Sequence, residues 1–335
     1  MPQPPSDPRR FVEAIRGAGL TIYDAVEIGD PSLWIPSPEL QALLDAELRG
    51  LSLVGLPLRT RSKVVKQRIC QILGYPIPLR FRRTQPRFVG QFFDTYVQKS
   101  NNFQVWNEQL APTWRYVFIR VSDADIVTRV KVVTGDALAP LDTTGTLTQK
   151  YQARCIPGKK AAELVSSLDT ELLQAFVSKA VDLSKVAAPV NHPLAGELLP
   201  IASVFARLKK LLGTNFADAG HDQERNRGAA LHRLCCAALG YSSYQDDGQF
   251  PDIRHQLVEV KLQAAPTIDL GLVCPNSGEA LDVPQIRNNQ IRHCDVRYAV
   301  FYAKTDGRLV TLTHLLLTTG EEFFWKIPSV PGESA

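Results

Sequence analysis

Phe250–Pro251–Asp252–Ile253–Arg254–His255–Gln256–Leu257–Val258–Glu259–Val260–Lys261–Leu262–Gln263 holds an acid, a short polar turn, and then a run in which polar and aliphatic side chains alternate. Alternation at period two marks a strand, with Glu259, Lys261 and Gln263 on one face and Val258, Val260 and Leu262 on the other. One face packs and the other is left for chemistry. If Asp252 opens the neighbouring strand, its carboxylate converges with that of Glu259, and two hard oxygen donors suit a divalent cation. Six residues separate the two acids, so the chain must reverse tightly around Arg254–Gln256. Lys261 then stands where a water attacking a phosphodiester would be held. An acid–x–Lys triplet on a strand is also common on solvated faces, so the surroundings decide.

On the N-terminal side, residues 222–239 read as a helix, with Asp222 as N-cap and Gly240 just past the end. Glu224, Leu231, Cys235 and Ala238 share its inward stripe. Glu224 reads equally as a first-turn acid favoured by the helix dipole or as part of a metal site. On the C-terminal side a strand pair is expected within 250–263, a helical stretch near 283–293, and strands near 297–303 and 309–317. That order is α/β.

Pro251–Asp252 followed by Glu259–Val260–Lys261, with the helix bearing Glu224 before it and helix and strands after it, resembles the PD-(D/E)xK nuclease superfamily, in particular type II restriction endonucleases. The likeness covers roughly residues 215–305. It implies a restriction-endonuclease-like α/β core, a mixed central sheet flanked by helices. By this resemblance Asp252 and Glu259 bind Mg²⁺ (or Mn²⁺), the Val260 carbonyl completes the shell, Lys261 activates water, and Glu224 is a further catalytic candidate. It also implies sequence-specific cleavage of double-stranded DNA by a homodimer, and a companion DNA methyltransferase. A repair or structure-specific nuclease is the alternative activity. A non-catalytic DNA-binding protein with a degenerate nuclease fold is a third reading, against which the intact Asp252, Glu259 and Lys261 argue. Asp269 is the nearest substitute ligand, and reads more readily as a turn residue.

Substrate recognition is expected in the N-terminal part. Nine basic residues between Arg59 and Arg87 (Arg59, Arg61, Lys63, Lys66, Arg68, Arg80, Arg82, Arg83 and Arg87) meet no acid, which suggests a phosphate-facing surface. Beyond them runs an amide-rich stretch with Gln91, Tyr96, Gln98, Lys99, Asn101, Asn102, Gln104, Trp106 and Asn107. Amides read adenine edges and Lys or Arg reads guanine, although such amides also satisfy loop backbone. Arg287 and Asn288, in the polar segment 285–292, are further DNA-binding candidates.

Helices are expected at 8–19, 37–50, 59–74 and 160–183, with a hairpin from 115–121 and 126–133. The Pro-containing stretch 187–193 is the expected boundary between an α+β DNA-recognition domain (1–190) and the catalytic domain (191–335). No internal repeat stands out. No apolar stretch is long enough to span a membrane, and MPQPPSDPRR lacks a signal-peptide core, so a cytoplasmic protein without a membrane partner is expected. The six cysteines show no C-x-x-C spacing, and no phosphate loop is present, so neither zinc nor ATP is expected.

Overall fold

Proline and glycine punctuate the helices much as the sequence suggests. In the computed structural model, which describes residues 7–99, 110–111, 113–139, 151–218 and 224–329 (the side chains of residues 58, 59, 224 and 225 excepted), the chain is a mixed α/β protein of two compact units. Unit 1 holds residues 1–148 and 282–288; unit 2 holds 149–281 and 289–335. Among the described residues, no helix is long and apolar enough to cross a membrane.

Unit 1 runs α1 (Arg9–Ala18), α2 (Ser37–Leu48), α3 (Leu58–Ile72), β1 (Phe93–Gln98), β2 (Arg115–Val121), β3 (Val127–Thr134) and α4 (Gly135–Leu138). Its sheet has the order β1-β2-β3, with β1 parallel and β3 antiparallel to β2. Leu40, Leu44 and Leu48 of α2 and Val65 and Ile69 of α3 share the core with Val117, Ile119, Val130 and Val132 of the sheet. Residues at spacings of three and four bring one helical stripe inward.

Unit 2 runs β4 (Tyr151–Arg154), β5 (Ala162–Leu164), α5 (Glu171–Gln174), α6 (Ile201–Leu208), β6 (Asn215–Ala217), α7 (Glu224–Leu239), β7 (Val258–Gln263), β8 (Thr267–Gly271), β9 (Arg297–Thr305), β10 (Leu309–Thr319) and α8 (Phe323–Lys326). Its main sheet has the order β5-β10-β9-β7, with β6 also on β10; β7 runs parallel to β9, and β9 antiparallel to β10. Val258, Ala299, Phe301, Leu315 and Leu317 of the sheet bury against α6 and α7 through Val204, Leu208, Leu231, Cys235 and Leu239.

Five expectations need correction. The division falls near residue 148 rather than at 190. The 187–193 stretch is instead tied into unit 2: Ala187 O accepts from Ser243 Oγ (2.9 Å), Pro189 O from the His255 amide (2.9 Å), and Val190 O from the Arg254 guanidinium. The helix expected over 160–183 gives way to β5 and the single turn α5. There Ser166 Oγ bonds the Thr318 and Thr319 hydroxyls (3.0 and 3.1 Å), and Asp169 is buried, so tertiary contacts override the helical spacing. No helix covers 283–293; Arg287 and Asn288 both take positive φ (49° and 64°), as a type I′ turn requires. Within 250–263 only β7 is a strand, Ile253 meeting Val258 in an isolated bridge across the one-turn helix Arg254–Gln256.

The fifth correction concerns repetition, because each unit contains the same motif. A long helix ends at Gly–Tyr (Gly74–Tyr75; Gly240–Tyr241), and each glycine takes the left-handed φ that closes a helix (83° and 99°). A loop leads to a cis proline (Pro86; Pro251), a single 3-10 turn, and a residue at φ 51° (Phe92; Leu257). Next comes a strand (β1; β7) parallel to one that opens with a buried arginine (Arg115; Arg297), whose register partner is a threonine (Thr134; Thr319) followed by glycine. Hydrogen bonds coincide as well. Buried Gln91 accepts from the Ile35 amide (3.1 Å) and donates to Leu33 O (2.8 Å); buried Gln256 accepts from the Leu199 amide (2.8 Å) and donates to Glu197 O (2.7 Å). Arg115 Nε donates to Gln91 O (3.2 Å) and Arg297 Nη1 to Gln256 O (2.9 Å). Asp282 accepts from the Ser37 amide (3.3 Å) as Asp169 does from that of Ile201 (2.9 Å). Few side chains are shared, and the gap between the two central strands differs in length, which hides the repeat from the sequence.

Arg297 is fully buried, with Nε 2.7 Å from Asp169 Oδ1. Arg297→Met strands that buried carboxylate, so a loss of about 3–5 kcal/mol in urea unfolding is expected. A loss under about 1 kcal/mol would show that the pair does not hold the motif together.

Candidate active site

The 3-10 turn Arg254–Gln256 reverses the chain between Pro251 and β7, and the two acids meet across it. The Asp252 amide donates to Glu259 Oε2 (3.2 Å), and the Val260 amide donates back to Asp252 Oδ2 (3.0 Å). Lys261 Nζ lies 3.0 Å from Glu259 Oε1. Asp252, Glu259 and Lys261 are thus brought together, Asp252 from a loop rather than from a strand of its own. The turn itself is secured by Arg254, whose Nη2 bonds both oxygens of Asp247 (2.9 and 2.8 Å), and by Gln256 below it.

Two carboxylates have been drawn out of water side by side. Burial, then the neighbouring Glu259, hold the Asp252 pKa well above the ordinary carboxylate value, while the Val260 amide and Lys261 pull it down. A like-charged pair of oxygen donors, Glu259 buried and Asp252 half-buried, is a fitting set for a hard cation, which would reverse that shift. Among the described residues no group of three or more His, Cys, Asp and Glu side chains converges, so further ligands would come from the Val260 carbonyl, water or substrate.

One neighbour escaped the sequence. His232 of α7 is 3% exposed, its ring stands edge-on to Tyr244 (5.1 Å), and the backbone of Asp252 bonds to it. Its Nε2 has no hydrogen-bond partner. Burial lowers its pKa, against the pull of Asp246, Glu259 and Asp247. Nothing in its spacing separates it from the apolar stripe of that helix. Glu224 begins α7, but its side chain lies outside the described residues. Asp269 sits on β8 and accepts from the Gly271 amide (3.0 Å), as a turn residue does.

The remaining candidates are dispersed. Arg80, Arg82 and Arg83 are exposed on the loop between α3 and β1, where Arg82 stacks over Tyr23 (4.5 Å). Arg87 is half-buried, donating to Thr84 O (2.7 Å). Lys99 pairs with Asp125 (2.7 Å), which also takes the guanidinium of Arg61, so that member of the basic run does not stand unopposed. Gln91 is wholly structural, as described above. Arg287 and Asn288 are exposed in unit 1. Asn101, Asn102 and Asn107 lie outside the described residues.

Compared with protein-family models, with curated proteins and with solved structures, the chain matches none.

The Asp252 carboxyl has a direct thermodynamic consequence. Its folded pKa exceeds its unfolded one, so its stabilising contribution is complete below the unfolded value of about 4 and is lost as pH rises through the folded value. Asp252→Asn keeps an acceptor for the Val260 amide and removes the ionisation. In EDTA at neutral pH the variant is expected to be about 1 kcal/mol more stable than wild type, with the gap closing toward pH 4. Thermal melts of both proteins across that range check it; a variant that melts at the wild-type temperature at pH 7 would contradict it.

Proposed function

We propose that this chain is a Mg²⁺-dependent endonuclease of the PD-(D/E)xK type, cutting double-stranded DNA at defined sequences. What carries the reading is the meeting of Asp252 and Glu259 across one tight turn with the Lys261 ammonium at Glu259. Asp252 and Glu259 would hold the cation, with Mn²⁺ as substitute, and the Val260 carbonyl would share it. The bound cation supplies neutralisation of phosphate charge and acidifies water. Lys261 keeps a positive charge at the phosphate oxygens and orients the attacking water by donating hydrogen bonds. Val260 and Asp252 amides fix the two carboxylates, so little reorganisation is needed when substrate arrives. The exposed arginines 80, 82 and 83 would hold backbone phosphates.

The same reading extends to a cytoplasmic homodimer that cuts one strand per active site, and to a companion DNA methyltransferase protecting the host sequence.

The experiment is incubation of the purified protein with assorted plasmid and phage DNA in Mg²⁺, with EDTA and Ca²⁺ arms. Discrete fragments in Mg²⁺, none in EDTA, and binding with little cutting in Ca²⁺ are expected, because Ca²⁺ fits oxygen sites with looser geometry. Equal rates in Mg²⁺ and Ca²⁺ would count against a two-carboxylate centre, and intact DNA in every arm would remove the reading.

A further inference from the structure

The shared motif gives the carboxylate site of unit 2 a counterpart in unit 1, and the counterpart has the opposite charge. His232 lies eight residues before the glycine that ends its helix, and so does Lys66 on α3. Asp252 follows the cis proline of its loop, and Arg87 follows that of the other. Glu259 is second in its strand and Asp94 second in β1; Lys261 is fourth, and Tyr96 holds the fourth place. The loops leading in differ likewise: one carries Asp246 and Asp247, the other Arg80, Arg82 and Arg83.

These residues are neighbours in unit 1, as their counterparts are in unit 2. Lys66 is half-buried, with Nζ 5.3 Å from the Phe81 ring, and burial and then Arg87 lower its pKa while Asp94 opposes them. The motif positions thus bring two cations and one acid to the place that His232, Asp252 and Glu259 hold in unit 2. Tyr96 lies against Tyr116 and Phe118 (5.8 and 5.6 Å) where a lysine would stand in a cutting site. A pair of half-buried cations with a single carboxylate attracts an anion, where the paired carboxylates of unit 2 attract a cation.

We propose that this position in unit 1 is a phosphate site, at which Lys66 and Arg87 grip one backbone phosphate of double-stranded DNA without cutting it. With one carboxylate in place of two and no lysine on the strand, it lacks the means to hold a cation and activate water. The choice of DNA rests on the function proposed above.

Binding of a fluorescent duplex by the full chain in EDTA tests it, over a salt series, with Lys66→Gln, Arg87→Gln, the double variant, and the charge-keeping Lys66→Arg and Arg87→Lys. The double neutral variant is expected to bind roughly fivefold more weakly at about 0.15 M salt, and to flatten the slope of log K against log salt by about 0.9; each single neutral variant shows part of that loss, and the charge-keeping variants retain most of both. An unchanged affinity and slope in a double variant that melts with the wild type overturns the proposal. Thermal shift with inorganic phosphate is the second arm: a shift lost in the double variant while duplex binding is unchanged makes this a free-phosphate site and overturns the DNA assignment. Hydrolysis plays no part in these measurements. Failure to cut DNA in Mg²⁺ would leave a positive result standing, and normal cutting with an unchanged slope would leave the nuclease reading standing.

Discussion

Glu259→Ala and Lys261→Ala proteins are expected to fold, to bind DNA, and to cut it about 10²–10³-fold more slowly than wild type or not at all. Each substitution removes a charge placed to act on the transition state, and preorganised charges of that kind are worth several kcal/mol. Glu259→Ala also removes the acceptor of the Asp252 amide and the partner of Lys261, so the loop that presents Asp252 loses its tether. Lys261→Ala leaves both carboxylates in place, and separates loss of charge at the phosphate from loss of the cation. Glu259→Ala should cost little stability, because it relieves the like-charged pair with Asp252, whereas Lys261→Ala leaves that pair without its nearby cation and should be modestly less stable. Cleavage rates at saturating DNA, beside melting temperatures, check both halves. Undiminished cutting by well-folded Glu259→Ala would place the chemistry elsewhere in the chain.

Joint neutralisation of Arg80, Arg82 and Arg83 is expected to weaken binding to cognate and random duplexes alike. Three lost phosphate contacts correspond to about 100-fold in affinity near 0.15 M salt, and to a salt slope flatter by about 2.7. All three are exposed on one loop, and Arg82 is held against Tyr23 both by stacking and by its own amide, 2.9 Å from the Tyr23 hydroxyl. A held cation gives up less freedom on binding than a loose one. Titration of each duplex at several salt concentrations, in Ca²⁺ to suppress cutting, measures the change. An unchanged slope would mean that the loop is a solvated face, and would direct attention to Arg287 and Asn288.

Local signals carried far in this sequence. Asp252, Glu259 and Lys261 were legible because a period-two strand and a six-residue gap leave one way to bring two acids together, and the structure uses it. Helix ends at Gly74 and Gly240 were legible for a similar reason: only a left-handed residue closes them there. Tertiary partners were not legible. Asp169 reads as a helical acid until Arg297 is seen beside it, and Gln91 reads as a base-reading amide until its bonds to the chain at Leu33 and Ile35 are seen. His232 carries no distinguishing signal in the sequence, and only its place beside the Asp252 loop marks it out. The repeat was hidden for the most physical of these reasons. It is conserved between the units in backbone angles and buried hydrogen bonds, whereas the side chains of the two sites have opposite charge.

The most direct measurement is end-sequencing of DNA fragments released in Mg²⁺ by wild-type protein and by Glu259→Gln protein prepared side by side. Breaks at one recurring sequence with wild type, and none above background with the variant, are the predicted result. Breaks at the same positions and rate in both preparations would contradict the assignment of DNA hydrolysis to Asp252, Glu259 and Lys261.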